Sequence, residues 1–247
     1  MKINIYIKLF FSILVILTGL YYFDFENIDR NLNFWLQELN IVFIYLIGCL
    51  VLLEFNFKNF PKRNNYYFNS AFILPIFIGI IGYYIINCFV PILLFKLLNI
   101  EIEIEKKSFI EITKFIPLML IGVIIEELFF RRIISQMILN INGYPKALWI
   151  SAFLFAISHL FTTSGFLSVF LGGVFLGYIY LKSQNIYVVM FAHISNNLLI
   201  YFLSNKIVEN NVQYNSYPKL LLLCLIGVFL LVIMVYLINK QLIKTSR

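Results

Sequence analysis

Charge is scarce in this chain: only 13% of its 247 residues are Asp, Glu, Lys or Arg, whereas 62% are hydrophobic and the mean hydropathy is +0.90. Soluble globular domains do not have such a composition, so the sequence is expected to be that of a polytopic membrane protein. Cysteine is nearly as rare. Cys49, Cys88 and Cys224 are scattered through apolar stretches without C-x-x-C spacing, which argues against both a disulfide framework and a thiolate metal site. Histidine occurs only twice, and H-E-x-x-H is absent, so no local zinc motif is present. Neither an internal repeat nor a low-complexity tail is seen. The formal net charge of +7 is not gathered into a basic cluster interleaved with aromatics, which speaks against nucleic acid as a partner.

Hydrophobic runs fill what remains. They fall near 5–23, 34–55, 70–95, 113–139, 146–161, 166–182, 186–203 and 218–239, which predicts an all-α fold: a polytopic membrane helix bundle of about eight transmembrane helices. Three regions follow from the placement of motifs. Residues 1–108 hold three spans without a recognisable motif, 109–205 a core of four spans, and 206–247 the last span with a basic tail. The first span resembles a signal peptide but lacks a small-residue cleavage site, since Tyr21, Tyr22 and Phe23 follow it, and reads as an uncleaved anchor. Pro75 and Pro91 are candidate kinks in the third span. The run I-E-I-E-I-E-K-K at 100–107 has the period of a strand but reads more simply as a solvated loop. With both termini cytoplasmic, twelve basic residues fall on the inner side and seven on the outer, as the positive-inside rule requires. A multi-pass protein of a bacterial plasma membrane is expected, with the lipid bilayer as its surroundings.

One stretch violates the apolar rule. In I-G-V-I-I-E-E-L-F-F-R-R, residues 121–132, two carboxylates and two arginines interrupt a span. An ionisable residue there costs roughly 2.5 to 3.5 kcal/mol on insertion scales, so it marks a functional site or a paired structural one. Glu127 and Arg131 are four apart and share a helical face, whereas Glu126 points elsewhere. Glu127 and Arg131 are thus expected to pair, either for structure alone or as part of a site, and Glu126 is the acid left for chemistry. A helix over 113–139 would be about 40 Å long, more than the roughly 30 Å hydrocarbon core. It either tilts or lines a wet cavity with its second half, and the arginines favour the cavity. The turn signal N-I-N-G-Y-P at 140–145 closes it. Gly173 and Gly177 make a small-x-x-x-small face suited to close helix approach.

The two histidines complete the set. They lie in F-A-I-S-H, ending at His159, and H-I-S-N-N, starting at His193, where Asn197 is one helical turn on. Glu126 and His159 are almost equally far from the turn at Asn142 and Gly143, so an antiparallel helix pair would bring them to similar depth. A buried carboxylate has its acidity weakened and suits a general base, here activating water with the help of His159. His193 and Asn197 would donate hydrogen bonds to the oxyanion of a tetrahedral intermediate. The same residues permit a zinc reading in which Glu126, His159 and His193 hold the metal. Ser158 and Ser195 adjoin the histidines but face differently, which disfavours a serine dyad. Two duller readings stand beside these: polar residues that only hold helices together, and a proton relay in a transporter, although no paired repeats with broken helices support the latter.

E-E-L-F-F-R, F-A-I-S-H and H-I-S-N-N, in this order and with L-G-G-V-F-L-G-Y before the last, resemble the signature of the CPBP family of intramembrane proteases. That family contains CAAX prenyl endopeptidases and bacterial Abi-type bacteriocin-processing and self-immunity proteins. The resemblance covers about 112–203. It implies Glu126 as the water-activating acid, Glu127 and Arg131 as the structural remainder of the first motif, His159 as the second active-site residue and His193 with Asn197 as the third motif. It also implies an eight-helix fold open toward the cytoplasm and a peptide or protein substrate at the membrane. An alternative function within the family is a non-catalytic immunity or regulatory protein.

Overall fold

A computed structural model describes residues 5–22, 30–54, 56, 58, 60–62, 70–99, 109–160, 165–214 and 216–245. Those residues form helices and turns, with no strand among them. In order they are α1 (Ile5–Tyr22), α2 (Arg30–Leu52), a short 3-10 turn (Ser70–Phe72), α3 (Ile73–Leu97), α4 (Phe109–Glu127), a π-helical segment (Leu128–Ser135), α5 (Gln136–Asn142), α6 (Tyr144–Ile157), α7 (Phe166–Ser183), α8 (Ile186–Tyr214) and α9 (Tyr217–Thr245). Over most of its described residues each hydrophobic stretch read from the sequence is helical. The chain is an all-α membrane protein of the helix-bundle class. Among the described residues four helices are long and apolar enough to cross a bilayer by themselves: Ser70–Leu97, Phe166–Ser183, Ile186–Leu203 and Tyr217–Leu242. Shorter apolar helices occupy Ile5–Gly19, Val42–Leu52 and Tyr144–Ile157. The acidic repeat at 100–107 lies outside the described residues.

The chain divides into two compact units, neither contiguous in sequence. The first comprises Met1–Asn65 and Phe115–Ile186. In it α1 packs on α2 and α6 on α7, and the π segment packs against α2, α6 and α7. Neighbours on three sides explain why Phe129, Phe130 and Arg131 are all wholly buried although they are consecutive, since a helix packed on one side buries only one face. In a π segment each amide bonds five residues back instead of four, and such segments recur at functional sites. Continuous helix thus runs from Phe109 to Asn142, then reverses at Gly143. Gly143 has φ 81° and ψ 179°, a region open essentially to glycine, and Pro145 follows in the first turn of α6.

The arginines depart from the wet-cavity expectation. Arg131 is fully buried, and Arg132 is half-buried, its Nη1 donating to the Pro61 carbonyl at 2.8 Å while its Cζ lies 4.8 Å over the Phe60 ring. Packing and hydrogen bonding accommodate these cations. The glycine reading holds: a Cβ on Gly173 would stand 2.9 Å from Ala152 Cα, and one on Gly177 would stand 3.1 Å from Leu148 Cδ1. These glycines let α7 settle directly on α6.

The second unit comprises Tyr66–Lys114 and Tyr187–Arg247. Its centre is the α3 and α9 pair, which cross backbone to backbone at Gly82 and Gly227: a Cβ on Gly82 would meet Gly227 O at 2.9 Å. Helix α3 runs through Pro91 without ending. Tyr84, Cys88, Phe89, Ile92, Leu220 and Cys224 form its apolar core, with Leu199 and Ile200 of α8 packed against it. Both cysteines are free thiols packed as small hydrophobes.

Candidate active site

The site begins with the separation of the two glutamates. Glu127 Oε2 lies 3.1 Å from Arg131 Nε, with neither side chain exposed, and the Arg131 Cζ sits 4.8 Å over the Phe155 ring. A cation packed on an aromatic face is attracted by the ring's negative face, most strongly when water is excluded. Glu126 turns away from that pair. Its Oε1 lies 3.7 Å from Nε2 of His159, and both side chains keep a small exposure, 14% and 15%. The acid and imidazole are joined by the α5–α6 reversal at Gly143, as equal distances from that turn require.

His159 owes its position to the way α6 ends. The helix has 14 residues, about 21 Å at 1.5 Å each, and so stops short of the roughly 30 Å core. At its end the Ser158 N–H bonds Leu154 O while the His159 N–H turns back to Ala156 O. The Phe155 carbonyl is left for side chains. Ser158 Oγ donates to it at 2.8 Å and His159 Nδ1 lies 2.9 Å from it. A carbonyl has no proton to give, so at that distance Nδ1 carries one and donates it. Nε2 is therefore the nitrogen turned toward Glu126. The imidazole also packs on the Phe155 ring, centroid to centroid 4.7 Å, and Phe155 meets Phe130 edge-on at 5.1 Å. Phe155 thus touches the Arg131 cation, the Phe130 ring and the His159 ring.

Sequence reasoning missed the parts played by Tyr45, Ser158 and Phe155. Tyr45 of α2, in a region without a motif, donates its hydroxyl to Ser158 Oγ at 3.1 Å, and its ring lies 5.7 Å and 5.8 Å from those of Phe129 and Phe130. No sequence signal marks it. Ser158 is no nucleophile but, with its hydrogen committed to Phe155 O, a buried hydrogen-bonding post beside His159. The signal for Phe155 was available, since it stands four residues before His159.

The third motif belongs to the second unit. His193 is buried on α8 and shares a face with Val189, Ala192 and Asn196, all buried, at the i, i+3, i+4 and i+7 spacing of a core stripe. Asn197 is only half-buried, one turn beyond His193. Of the two adjacent amides, Asn196 is the one within the packed stripe. Among the described residues no group of three or more His, Cys, Asp and Glu side chains is gathered as a metal site. The first unit offers Glu126 and His159, two ligands where a catalytic zinc needs three from the protein.

The described helices thus neutralise one acid, Glu127, with a buried arginine and turn its neighbour, Glu126, toward an imidazole. A family model described as Rce1-like, type II CAAX prenyl endopeptidase, matches residues 108–199. That stretch spans α4 to the middle of α8 and contains all three motifs, so the chain is similar to this family over the motif-bearing segment. No curated protein and no solved structure matches the chain at a significant level.

Proposed function

We propose that the protein is an intramembrane endopeptidase that hydrolyses a peptide bond of a membrane-associated peptide or protein with water activated by Glu126. The observation that carries this reading is the 3.7 Å approach of Glu126 Oε1 to His159 Nε2. With the Nδ1 proton donated to Phe155 O, the imidazole in its neutral form presents a lone pair at Nε2. A carboxylate and a lone pair side by side are two acceptors, and a water lying against both donates one hydrogen to each. Glu126 takes a proton as the water oxygen bonds to the scissile carbonyl carbon. Collapse of the tetrahedral intermediate breaks the C–N bond, and the proton passes from Glu126 or His159 to the departing amine. His193 and Asn197 are proposed as donors to the oxyanion, each such donor contributing about 3 to 4 kcal/mol.

The family match supports a CAAX-type peptidase, and its name points to a prenylated C-terminal peptide as substrate. The bacterial plasma membrane, cytoplasmic termini and a site opening to the cytoplasm belong to the same proposal, supported by the asymmetry of basic residues. Zinc held by Glu126, His159 and His193 is the competing version, in which the metal would supply Lewis-acid activation of the water. The second reading, an Abi-type immunity or regulatory scaffold, draws on the Glu127, Arg131 and Phe155 cluster, whose charges serve packing. Purified protein in vesicles, given a fluorogenic peptide with and without a C-terminal prenyl group and with and without chelator, tests all three. Cleavage that needs His159 and survives chelator supports the proposal. Cleavage abolished by chelator transfers the role to a metal, and no cleavage of either peptide favours the scaffold.

A further inference from the structure

A serine hydroxyl has one hydrogen, and the use of that hydrogen at Ser158 has consequences for the imidazole beside it. It goes to Phe155 O at 2.8 Å. Toward its other two neighbours, Tyr45 Oη at 3.1 Å and His159 Nδ1 at 3.2 Å, the Ser158 oxygen can only accept. Tyr45 therefore donates to Ser158, and Nδ1–H finds two acceptors, Phe155 O and Ser158 Oγ. Were the Ser158 hydrogen to swing to Nδ1, the imidazole proton would have to sit on Nε2, facing Glu126. The Tyr45 hydroxyl opposes that swing: it fills one lone pair of Ser158 and leaves Phe155 O as the favourable direction for the hydrogen. Tyr45 is itself fixed, only 3% exposed and gripped by the Phe129 and Phe130 rings.

From this geometry we infer that Tyr45, acting through Ser158, is a positioning residue that holds His159 in its Nδ1–H tautomer, with Nε2 unprotonated toward Glu126. The inference rests on the reading of His159 as a member of the active site for its meaning, but not for its test. An α2 residue outside the motif-bearing segment thereby sets the proton position of the motif histidine. Such partners fix which ring nitrogen is available for chemistry, as they do behind metal-bound histidines.

The full-length protein with ¹⁵N-labelled histidine, in vesicles at a pH where the imidazoles are neutral, has only two such side chains to assign. His193→Gln identifies the His159 signals. The expected wild-type pattern is protonated Nδ1 and unprotonated Nε2. Tyr45→Phe frees the Ser158 hydroxyl and shifts His159 to a mixture of tautomers. Ser158→Ala leaves Phe155 O as the sole acceptor and retains the wild-type pattern. The double variant returns to the wild-type pattern, because no hydroxyl is left to compete. That non-additivity separates a relay from a packing defect, which would persist or worsen in the double variant. A wild-type Nε2–H tautomer, an unchanged pattern in Tyr45→Phe, or a double variant no better than the single each overturns the inference. So does a shift of His193 along with His159, since that reports general loosening of the helices. Absence of proteolysis leaves the tautomer result standing, so failure of this inference and failure of the protease reading are seen separately.

Discussion

Arg131 lies with its guanidinium carbon 4.8 Å over the ring of Phe155, without solvent exposure, and this contact ties the first motif to the second. It explains why Arg131 stands in a span. The cation neutralises Glu127, packs on the aromatic side chain whose carbonyl anchors His159, and leaves Glu126 as the adjoining carboxylate turned to the imidazole.

Removal of that cation leaves a buried carboxylate without its counter-charge. Arg131→Met is expected to destabilise the protein by about 3 to 5 kcal/mol, and Glu127→Leu combined with Arg131→Met to recover most of the loss, because a buried pair can be replaced by apolar groups at little net cost. Arg131→Lys is expected to behave nearer to Met than to Arg, since an ammonium is a more strongly hydrated point charge without the planar face. Thermal inactivation of the purified variants measures the order; equal stability of wild type and Arg131→Met would contradict it.

Gly173 and Gly177 differ in what surrounds them, and their alanine variants should differ accordingly. The added Cβ at 173 meets the backbone of Ala152 at 2.9 Å, whereas at 177 it meets the movable end of Leu148 at 3.1 Å. Overpacking typically costs about 1 to 3 kcal/mol. Gly173→Ala should lie toward the upper end and Gly177→Ala toward zero, read from the midpoint of thermal aggregation in detergent. The reverse ranking would mean that α6 and α7 do not meet as described.

The reversal at Gly143 is the hinge of the site. Its φ of 81° with ψ of 179° is costly for any side chain, of order 1 to 3 kcal/mol. Gly143→Ala is expected to lower stability by that amount and to weaken cross-linking between cysteines introduced at 126 and 159, relative to the same pair on the Gly143 background. Undiminished cross-linking with unchanged stability would show that the turn does not control the approach of Glu126 and His159.

Much of this was readable in the residues because it depended on spacing. Separation of Glu126 from Glu127, the pairing of Glu127 with Arg131 and the symmetry of Glu126 and His159 about Gly143 are consequences of helical periodicity. The glycine face of α7 followed from composition at a four-residue interval. What stayed hidden depended on contacts between distant segments or on local departures from the α repeat. Tyr45 reaches Ser158 across 113 positions, and nothing in α2 marks it. The π segment has no composition of its own, so the burial of Phe129, Phe130 and Arg131 together was not foreseen. For Glu126 and His159 to meet, either the fifth and sixth helices stop short or the fourth tilts, and the sequence does not choose: the run from Lys146 to Phe161 stays apolar, whereas α6 ends at Ile157 with the Phe155 carbonyl capped by the side chains of Ser158 and His159.

In the proposed mechanism Glu126, rather than its neighbour, activates water. It is tested most directly by single-turnover cleavage of a membrane-anchored peptide by Glu126→Gln at matched abundance in vesicles, where Gln keeps the shape and removes the base. The expected rate is lowered by about a hundredfold to ten-thousandfold, the usual contribution of a general base, with the variant still inserted and as thermally stable as wild type. A Glu126→Gln protein that cleaves at the wild-type rate would contradict it.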